Sequence, residues 1–315
     1  MQRILITGAN GFIGKNLSEY LHQKKNTVDA VVRNKTTLDN ELRKCFDTIF
    51  DFNSLPDFGN YDTLIHCVGK AHDLKNVAAP EEYFKINTQL TKQIFDKFRN
   101  SNCKKFIFFS SVKAVADSLT EELTEDFIPN PQTVYGKSKL EAEQYITSQK
   151  LNSDQKYFIL RPSMIHGKGN KGNLNLLYNF ISKGIPYPLA SYENNRSFLS
   201  VDNLNFIIEQ LIESNLESNV FNVADDEPLS TNDLITLIAD SLKKNPKLWH
   251  VNKNIIQLFA KIGDILQLPL NSERLKKLTE NYEVSNKKLL STLNIVLPLS
   301  SKKGLMKTFQ HFHSK

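Results

Sequence analysis

Apolar positions in the first half of the chain fall into two alternating patterns. Short β-rich runs at Arg3–Thr7, Val28–Val32, Thr48–Phe52, Asp62–Cys67, Lys105–Phe109 and Tyr157–Leu160 predict six strands, the last stopped by Arg161-Pro162. Between them, apolar residues recur at helical spacing. Ile13, Leu17, Tyr20 and Leu21 predict a helix directly after the first strand. Ile86, Leu90, Ile94 and Phe98 form one stripe of a helix over about Glu81–Arg99, and another helix is predicted over Lys137–Ser148. Strands alternating with helices of this length imply an α/β chain, a doubly wound parallel sheet with helices on both faces.

The pattern changes after Gly167. Glycine and asparagine cluster up to Asn173, and mostly helical stretches follow, with brief strands near Phe198–Val201 and Val220–Val223. Ser230 and Ser285 each stand where a helix N-cap is wanted. Residues 1–166 are therefore read as one domain and 167–315 as a smaller, mostly helical substrate lobe. The boundary is soft, because later strands can return to the first sheet.

Composition narrows the class. In 315 residues, 40% are apolar and 23% charged, enough for a sizeable core and inconsistent with wholesale disorder. Apolar runs such as Lys105–Phe109 fall far short of the roughly 18 residues that span a bilayer. The start has no charged n-region and no small-residue cleavage site, so a cytoplasmic protein without an integral membrane segment is expected. Three widely spaced cysteines (Cys45, Cys67 and Cys103) give neither a disulfide framework nor a zinc knuckle. The net charge of +6 is uneven: residues 243–315 carry 14 Lys/Arg against 4 Asp/Glu. That basic quarter suits a solvated face, an anionic substrate or a membrane surface; its scattered charges lack the aromatic interleaving of a nucleic-acid binder, and no nucleic-acid partner is expected.

Gly8-Ala9-Asn10-Gly11-Phe12-Ile13-Gly14 lies between the first strand and the first helix. Twelve glycines in 315 residues would produce such a match about 0.02 times by chance. Gly8 allows a tight turn, Gly11 lets backbone approach a pyrophosphate, and Gly14 lets helix pack on strand, so the phosphates sit at the positive end of the helix. This is a Rossmann-type dinucleotide site. Its candidate cofactor residues are Gly8, Asn10, Gly11, Phe12, Ile13 and Gly14, with Cys67, Val68 and Gly69 after the fourth strand. The second strand ends in Arg33, with no acidic residue for the ribose hydroxyl; Asp29 sits too early in the strand. Arg33 suits a 2′-phosphate, which favours NADP over NAD, although a solvated arginine at a strand end has the same appearance. Asp51 and Phe52, after the third strand, are candidates to line the adenine.

Two Tyr-x-x-x-Lys pairs occur where chance alone predicts about one: Tyr20/Lys24 and Tyr135/Lys139. Tyr20 belongs to the apolar stripe of the first helix and reads as core. Tyr135 opens a helix after a polar, proline-containing loop, with Ser111 closing the fifth strand upstream. Together Gly8 to Gly14, Ser110-Ser111, Tyr135-Gly136-Lys137-Ser138-Lys139 and Leu160-Arg161-Pro162 resemble the extended short-chain dehydrogenase/reductase family, of NAD-dependent epimerase/dehydratase type, over nearly the whole chain. Phe109 to Lys113, Lys171 to Asn173 and Asn195 to Leu204 are similar to bacterial UDP-N-acetylhexosamine 4-keto-reductases and 4-epimerases, which serve surface polysaccharide synthesis.

The resemblance implies a catalytic set of Ser111, Tyr135, Lys139 and Asn87. Tyr135 is the acid/base on the sugar oxygen; a free tyrosine titrates near 10, so Lys139, one helical turn on, has to stabilise the phenolate and also holds the nicotinamide ribose. Ser111 aligns the reacting oxygen. Relatives that remove the C6 hydroxyl carry Asp-Glu after the catalytic hydroxyl residue, whereas Val112-Lys113 stands here, which argues against a 4,6-dehydratase. Lys113 faces either substrate or solvent. Lys171, Asn173 and Arg196 match positions that hold the nucleotide diphosphate, and Arg274 is a further substrate candidate. The histidines give no metal signal, and His166 reads as packing at a strand end. The leading expectation is NADP-linked reduction at C4 of a UDP-4-keto-6-deoxy-N-acetylhexosamine. A 4-epimerase with the same residues is the alternative, and a non-catalytic cofactor-sensing regulator a remote third. Relatives often form homodimers through a four-helix interface, which the helices at Glu81–Arg99 and Lys137–Ser148 would supply.

Overall fold

The computed structural model describes residues 1–70, 79–170, 172–266 and 271–313. In chain order the first half runs β1 (Arg3–Thr7), α1 (Phe12–Gln23), β2 (Thr27–Val32), α2 (Asn40–Arg43), β3 (Ile49–Asp51), β4 (Thr63–His66), α3 (Pro80–Tyr83), α4 (Leu90–Arg99), β5 (Lys105–Phe109), α5 (Val134–Ser148) and β6 (Lys156–Pro162). There follow β7 (Met164–His166), α6 (Asn173–Ser182), β8 (Phe198–Ser200), α7 (Val201–Glu213), β9 (Asn219–Val223), α8 (Thr231–Ser241), α9 (Lys253–Leu266), α10 (Ser272–Thr279), α11 (Lys287–Leu293) and α12 (Ser301–His313).

Seven parallel strands form one sheet in the order β3-β2-β1-β4-β5-β6-β9. Its central strands are buried on both faces, which is why they read as continuous apolar runs. Ile4 and Ile6 point towards Leu17 and Leu21 of α1 and Leu204, Ile207 and Leu211 of α7. Leu5 and Leu64 point the other way, towards Phe95 and Phe98 of α4 and Ala142 and Ile146 of α5. The strand order reverses between β1 and β4, which opens a crevice at their carboxyl ends.

Three parts of the second half return to this layer: β9 pairs with β6, α7 covers the sheet beside α1, and α11 packs Leu289 against β9. The rest makes a smaller lobe, in which the β7–β8 pair leads to a core of α6, α8, α9 and α12. Among the described residues no helix is long and apolar enough to cross a membrane.

Several boundaries depart from the sequence pattern. The helix expected over Glu81–Arg99 is interrupted by a π-helical turn at Phe84–Gln89, which buries Asn87 and Thr88. α5 starts at Val134, because the Thr133 hydroxyl caps it by accepting from the Gly136 amide. β6 runs through Arg161 and Pro162: β5 ends at Phe109, opposite Leu160, so no ladder bond from that side is asked of the proline nitrogen. Ser230 does cap α8, with Asp233 completing a capping box. Ser285 does not cap; Asn286 precedes α11 instead, its amide spent on the Ala224 and Asp225 carbonyls. Tyr20 packs on the core while its hydroxyl donates to Glu209 of α7, which Lys24 also engages.

Candidate active site

The crevice begins at the glycine turn. Gly8 has φ +73°, and a Cβ there would stand 2.9 Å from the Val68 amide nitrogen. A Cβ on Gly14 would lie 2.4 Å from the Gly8 carbonyl oxygen. Only glycine lets β1, α1 and the end of β4 converge this closely. Gly11 is the N-cap of α1, supplies no side-chain cap, and brings the N-terminal end of the helix to the wall of a cavity of about 330 Å³. Gly8, Asn10, Gly11, Phe52, Val68 and Gly69 line that cavity, with Cys67, Asn34 and the exposed Arg33 at its edge. A cradle that any Cβ would fill, at a helix N-terminus and a strand-order reversal, fits a dinucleotide pyrophosphate.

Phe12 and Ile13 lie half-buried in the first turn of α1. Asp29 is engaged elsewhere: it is buried, accepting from the Tyr61 hydroxyl at 2.7 Å and the Thr48 amide at 2.8 Å. Asp51 ties the turn after β3 by accepting from the Asn53 and Ser54 amides, which hold its carboxyl below the usual range, and Lys35 stands 3.7 Å away. Phe52, its neighbour, lines the cavity; Asp51 does not.

The catalytic candidates converge at the other end of the crevice. Ser111 follows β5 and caps the turn Val112–Ala114. A Cβ on Gly136 would stand 2.3 Å from the Lys113 carbonyl oxygen, so the first turn of α5 packs directly on the Ser111 turn. Asp117 fixes the loop before it, accepting from the Gln132 amide at 2.6 Å and the Thr133 hydroxyl at 2.8 Å. This brings the Tyr135 hydroxyl into hydrogen bonding with Ser111. Burial raises the Tyr135 pKa above its ordinary value and the Ser111 bond pulls it back. Tyr83 stands edge-on to the Tyr135 ring, with centroids 6.4 Å apart.

Lys139 is buried one helical turn on and donates to the Phe109 carbonyl at 2.8 Å. Burial lowers its pKa to about 8, opposed by the Glu143 carboxylate a further turn along α5. Glu143 is itself buried, accepting from Arg161 Nε at 3.1 Å and Nη2 at 2.6 Å and from the Ser110 hydroxyl. The sequence reading did not single out Glu143. Its signal was its position four residues beyond Lys139, on the same helix face.

Asn87 touches neither Tyr135 nor Lys139 through a hydrogen bond. Its amide clamps Lys70, accepting from the backbone nitrogen at 2.7 Å and donating to the oxygen at 3.1 Å, and donates to Ser138 at 3.0 Å. It is a positioning residue that fastens the loop after Gly69 to α5. His66 is a buried neutral ring held between Thr7 and Thr91, its pKa pushed down to about 3 by burial. His166 is buried at the end of β7, hydrogen-bonded to Thr308 at 2.8 Å, as the packing reading expected.

A second cavity, of about 400 Å³, opens on the far side of Ser111 and Tyr135. Pro162, Met164, Ile165 and Leu174 give it an apolar wall, and Asn173 at the start of α6 contributes a helix N-terminus. Lys113 faces this cavity and not bulk water; it donates to the Asp117 carbonyl at 2.7 Å, and its ammonium lies 3.9 Å from the centre of the Tyr282 ring. Arg196 lines the same cavity and donates to the Lys277 carbonyl within α10 and to the Glu280 carbonyl just after it. Tyr282 and Glu280, which no motif marked, complete the wall. Arg274 is exposed on α10 and does not line the cavity; Lys171 lies outside the described residues.

The model of the NAD dependent epimerase/dehydratase family matches residues 4–224. The chain belongs to that family. It is an enzyme of the nucleotide-sugar epimerase and reductase type. A UDP-glucose 4-epimerase of Vibrio cholerae is 31% identical, over 98% of this chain and 95% of its own length. An N-acetyl-alpha-D-glucosaminyl-diphospho-ditrans,octacis-undecaprenol 4-epimerase of Escherichia coli O157:H7 is 26% identical, over 98% of this chain and 94% of its own. Among solved structures, UDP-glucuronic acid 4-epimerase of Bacillus cereus, in complex with UDP-glucuronic acid and NAD, superposes with a TM-score of 0.75 over 99% of both chains at 18% identity. That likeness shows the shared fold, the α/β doubly wound sheet with its smaller lobe.

Proposed function

We propose that this enzyme carries out redox chemistry at C4 of a UDP-sugar and inverts that carbon as a 4-epimerase. One observation carries the reading: the Tyr135 hydroxyl, bonded to Ser111, stands on the wall of the substrate cavity, with Lys139 buried between it and the glycine cradle. A nicotinamide dinucleotide bound in that cradle supplies the acceptance and return of a hydride. Gly8, Gly11, Gly14, Val68 and Gly69 would hold it.

The chain's own residues manage the proton and the sugar. Tyr135 takes the C4 hydroxyl proton as the carbonyl forms and gives it back as the alcohol is restored. Ser111 hydrogen-bonds the same oxygen and fixes its position, and the Lys139 charge makes the phenolate accessible near neutral pH. The apolar wall of Pro162, Met164, Ile165 and Leu174 offers a keto sugar no fixed polar partner, so it can turn over between the two half-reactions. Arg196, Lys113 and the N-terminus of α6 suit the diphosphate. Both relatives bear names with a sugar diphosphate or nucleotide-sugar substrate, which supports the same substrate class. An apolar Val112 and a Lys113 turned to carbonyl and ring leave no acid/base pair for 4,6-elimination.

A second reading, reduction of a UDP-4-keto-6-deoxy-N-acetylhexosamine, is favoured by Arg33 at the cradle's edge. A reductase exchanges its dinucleotide at each turnover, and Arg33 supports NADP; the NAD complex of the Bacillus cereus enzyme supports NAD. Incubating the protein with UDP-glucose or UDP-N-acetylglucosamine without added reductant, and following C4 configuration by NMR, tests the epimerase. Consumption of NADPH only with the 4-keto sugar would replace it with the reductase. Tyr135→Phe is expected to abolish either activity while dinucleotide binding persists; turnover surviving that change would remove the site assignment. A homodimer through α4 and α5 belongs to the same reading, and sedimentation checks it.

A further inference from the structure

Among the described residues, eight of the thirteen exposed large apolar side chains lie between positions 249 and 278. Six of them stand on one helix: Ile255, Leu258, Phe259, Ile262, Ile265 and Leu266 of α9. Phe259 is 60% and Ile265 81% exposed. The helix already buries a separate stripe, Ile256, Ala260 and Gly263, in the core of the smaller lobe. At 100° per residue the exposed apolar positions cover about 120° of arc beside that stripe, and Lys253, Asn254, Gln257, Lys261 and Asp264 hold the remainder. α9 therefore presents two apolar faces, and packing explains only the inner one.

The surroundings are cationic. Residues 243–278 carry eight Lys/Arg against two Asp/Glu. Arg274, Lys276 and Lys277 are exposed on α10, which packs against α9, and Trp249 precedes α9 with 57% of its surface exposed. A wide apolar arc edged by cations, with an aromatic ring beside it, is the composition of a helix that lies in a membrane interface. A second copy of the chain fits less well, because an isologous contact would set one cationic face against another.

We propose that α9, with Trp249 and the cations around it, docks this protein on an anionic bilayer surface, the helix lying in the interface plane. Docking would keep the substrate cavity close to the lipid. The Lys277 carbonyl of α10 accepts from Arg196, and Glu280 just beyond lines the cavity, so one helix about 12 Å long joins the two. The inference stands apart from the C4 reading and can fail without it.

Trp249 is the only tryptophan in the chain, so intrinsic fluorescence reports this face directly. The full-length protein is mixed with vesicles of phosphatidylethanolamine and phosphatidylglycerol, or of phosphatidylcholine alone, and followed by sedimentation and Trp249 emission. Binding to the anionic vesicles, a blue shift, and weakening by salt are expected. Leu258→Ser/Phe259→Ser/Ile262→Ser should lower partitioning roughly tenfold or more, with turnover on a soluble UDP-sugar unchanged, and Lys261→Glu should lower it less. Wild-type protein left in the supernatant with unmoved emission, or a triple variant that binds equally, would overturn the proposal. So would a wild-type dimer that the triple variant converts to monomer while neither sediments with vesicles.

Discussion

A Cβ placed on Gly69 would stand 3.0 Å from the Lys139 ammonium nitrogen and 3.4 Å from the Asn87 side-chain oxygen. The segment after β4 and the face of α5 thus meet so closely that a methyl at this position would press on both side chains. Because the nearest atom is the tip of a flexible side chain, Gly69→Ala should fold but shift Lys139 by a few tenths of an ångström. Turnover is expected to fall about tenfold with little change in melting temperature. Steady-state kinetics and a thermal melt on the same preparation check this. Wild-type turnover in the variant would show that the close approach has no catalytic consequence.

Lys139 also sets a pH dependence. Its folded pKa is about 8, against an ordinary value of 10.5. Above pH 8 the ammonium loses its proton and Tyr135 loses the charge that supports its phenolate, so kcat/KM should decline through that region. Stability moves oppositely. Between about 8 and 10.5 the unfolded chain binds more protons at this residue than the folded one, so its contribution to stability rises with pH and is lost as pH falls through 8. An activity loss without unfolding is thus the expected signature. Glu143→Gln removes the anion that raises the Lys139 pKa, so the alkaline limb should move to lower pH, with a lower melting temperature from the weakened pairing to Arg161. A limb unmoved in Glu143→Gln would rule out this coupling.

Much of this was legible before any coordinates. The glycine turn and the choice of Tyr135 over Tyr20 depend on local patterns, a β-run into glycine or a helix start after a polar loop, and such patterns survive folding. What was not legible depends on partners distant in sequence. Glu143 and Arg161 are separated by a strand connection and meet because α5 packs across β6. Lys113 faces the cavity because Tyr282, far along the chain, comes beneath its ammonium. The sequence reading places Asn87 in the catalytic set, whereas its bonds to Lys70 and Ser138 arise from a π turn that helical periodicity cannot reveal. Arg274 is the weaker candidate beside Arg196, since Arg274-Leu275-Lys276-Lys277 also reads as an exposed basic helix, and packing puts Arg196 on the wall and Arg274 on the surface.

Arg33 provides the test of cofactor choice. It stands exposed at the edge of the glycine cradle, and Asp29, the only carboxylate in β2, is already committed to Tyr61 and Thr48. If Arg33 meets a 2′-phosphate, Arg33→Ala should weaken NADPH binding by roughly tenfold or more and leave NADH nearly unchanged, since a charge-assisted fork contributes about 1.5–3 kcal/mol. Calorimetric titration of both dinucleotides against both proteins measures it. Equal losses would mean that Arg33 serves only as a solvated edge of the site, and would turn the cofactor assignment to NAD.

Arg196 tests the substrate side. Its guanidinium is half-buried, lines the cavity and spends two donors on the Lys277 and Glu280 carbonyls, so it is held rigidly and still faces the space where a diphosphate fits. Such an arginine binds ground state and transition state alike, since the diphosphate does not change during C4 chemistry. Arg196→Ala should therefore raise KM for the UDP-sugar by about tenfold or more and leave kcat nearly intact. Arg196→Lys should recover only part of the loss, because an ammonium keeps the charge but cannot hold the two carbonyls and the ligand together. A fall in kcat with unchanged KM would instead place Arg196 in support of the Ser111–Tyr135 geometry and take the diphosphate away from this wall of the cavity.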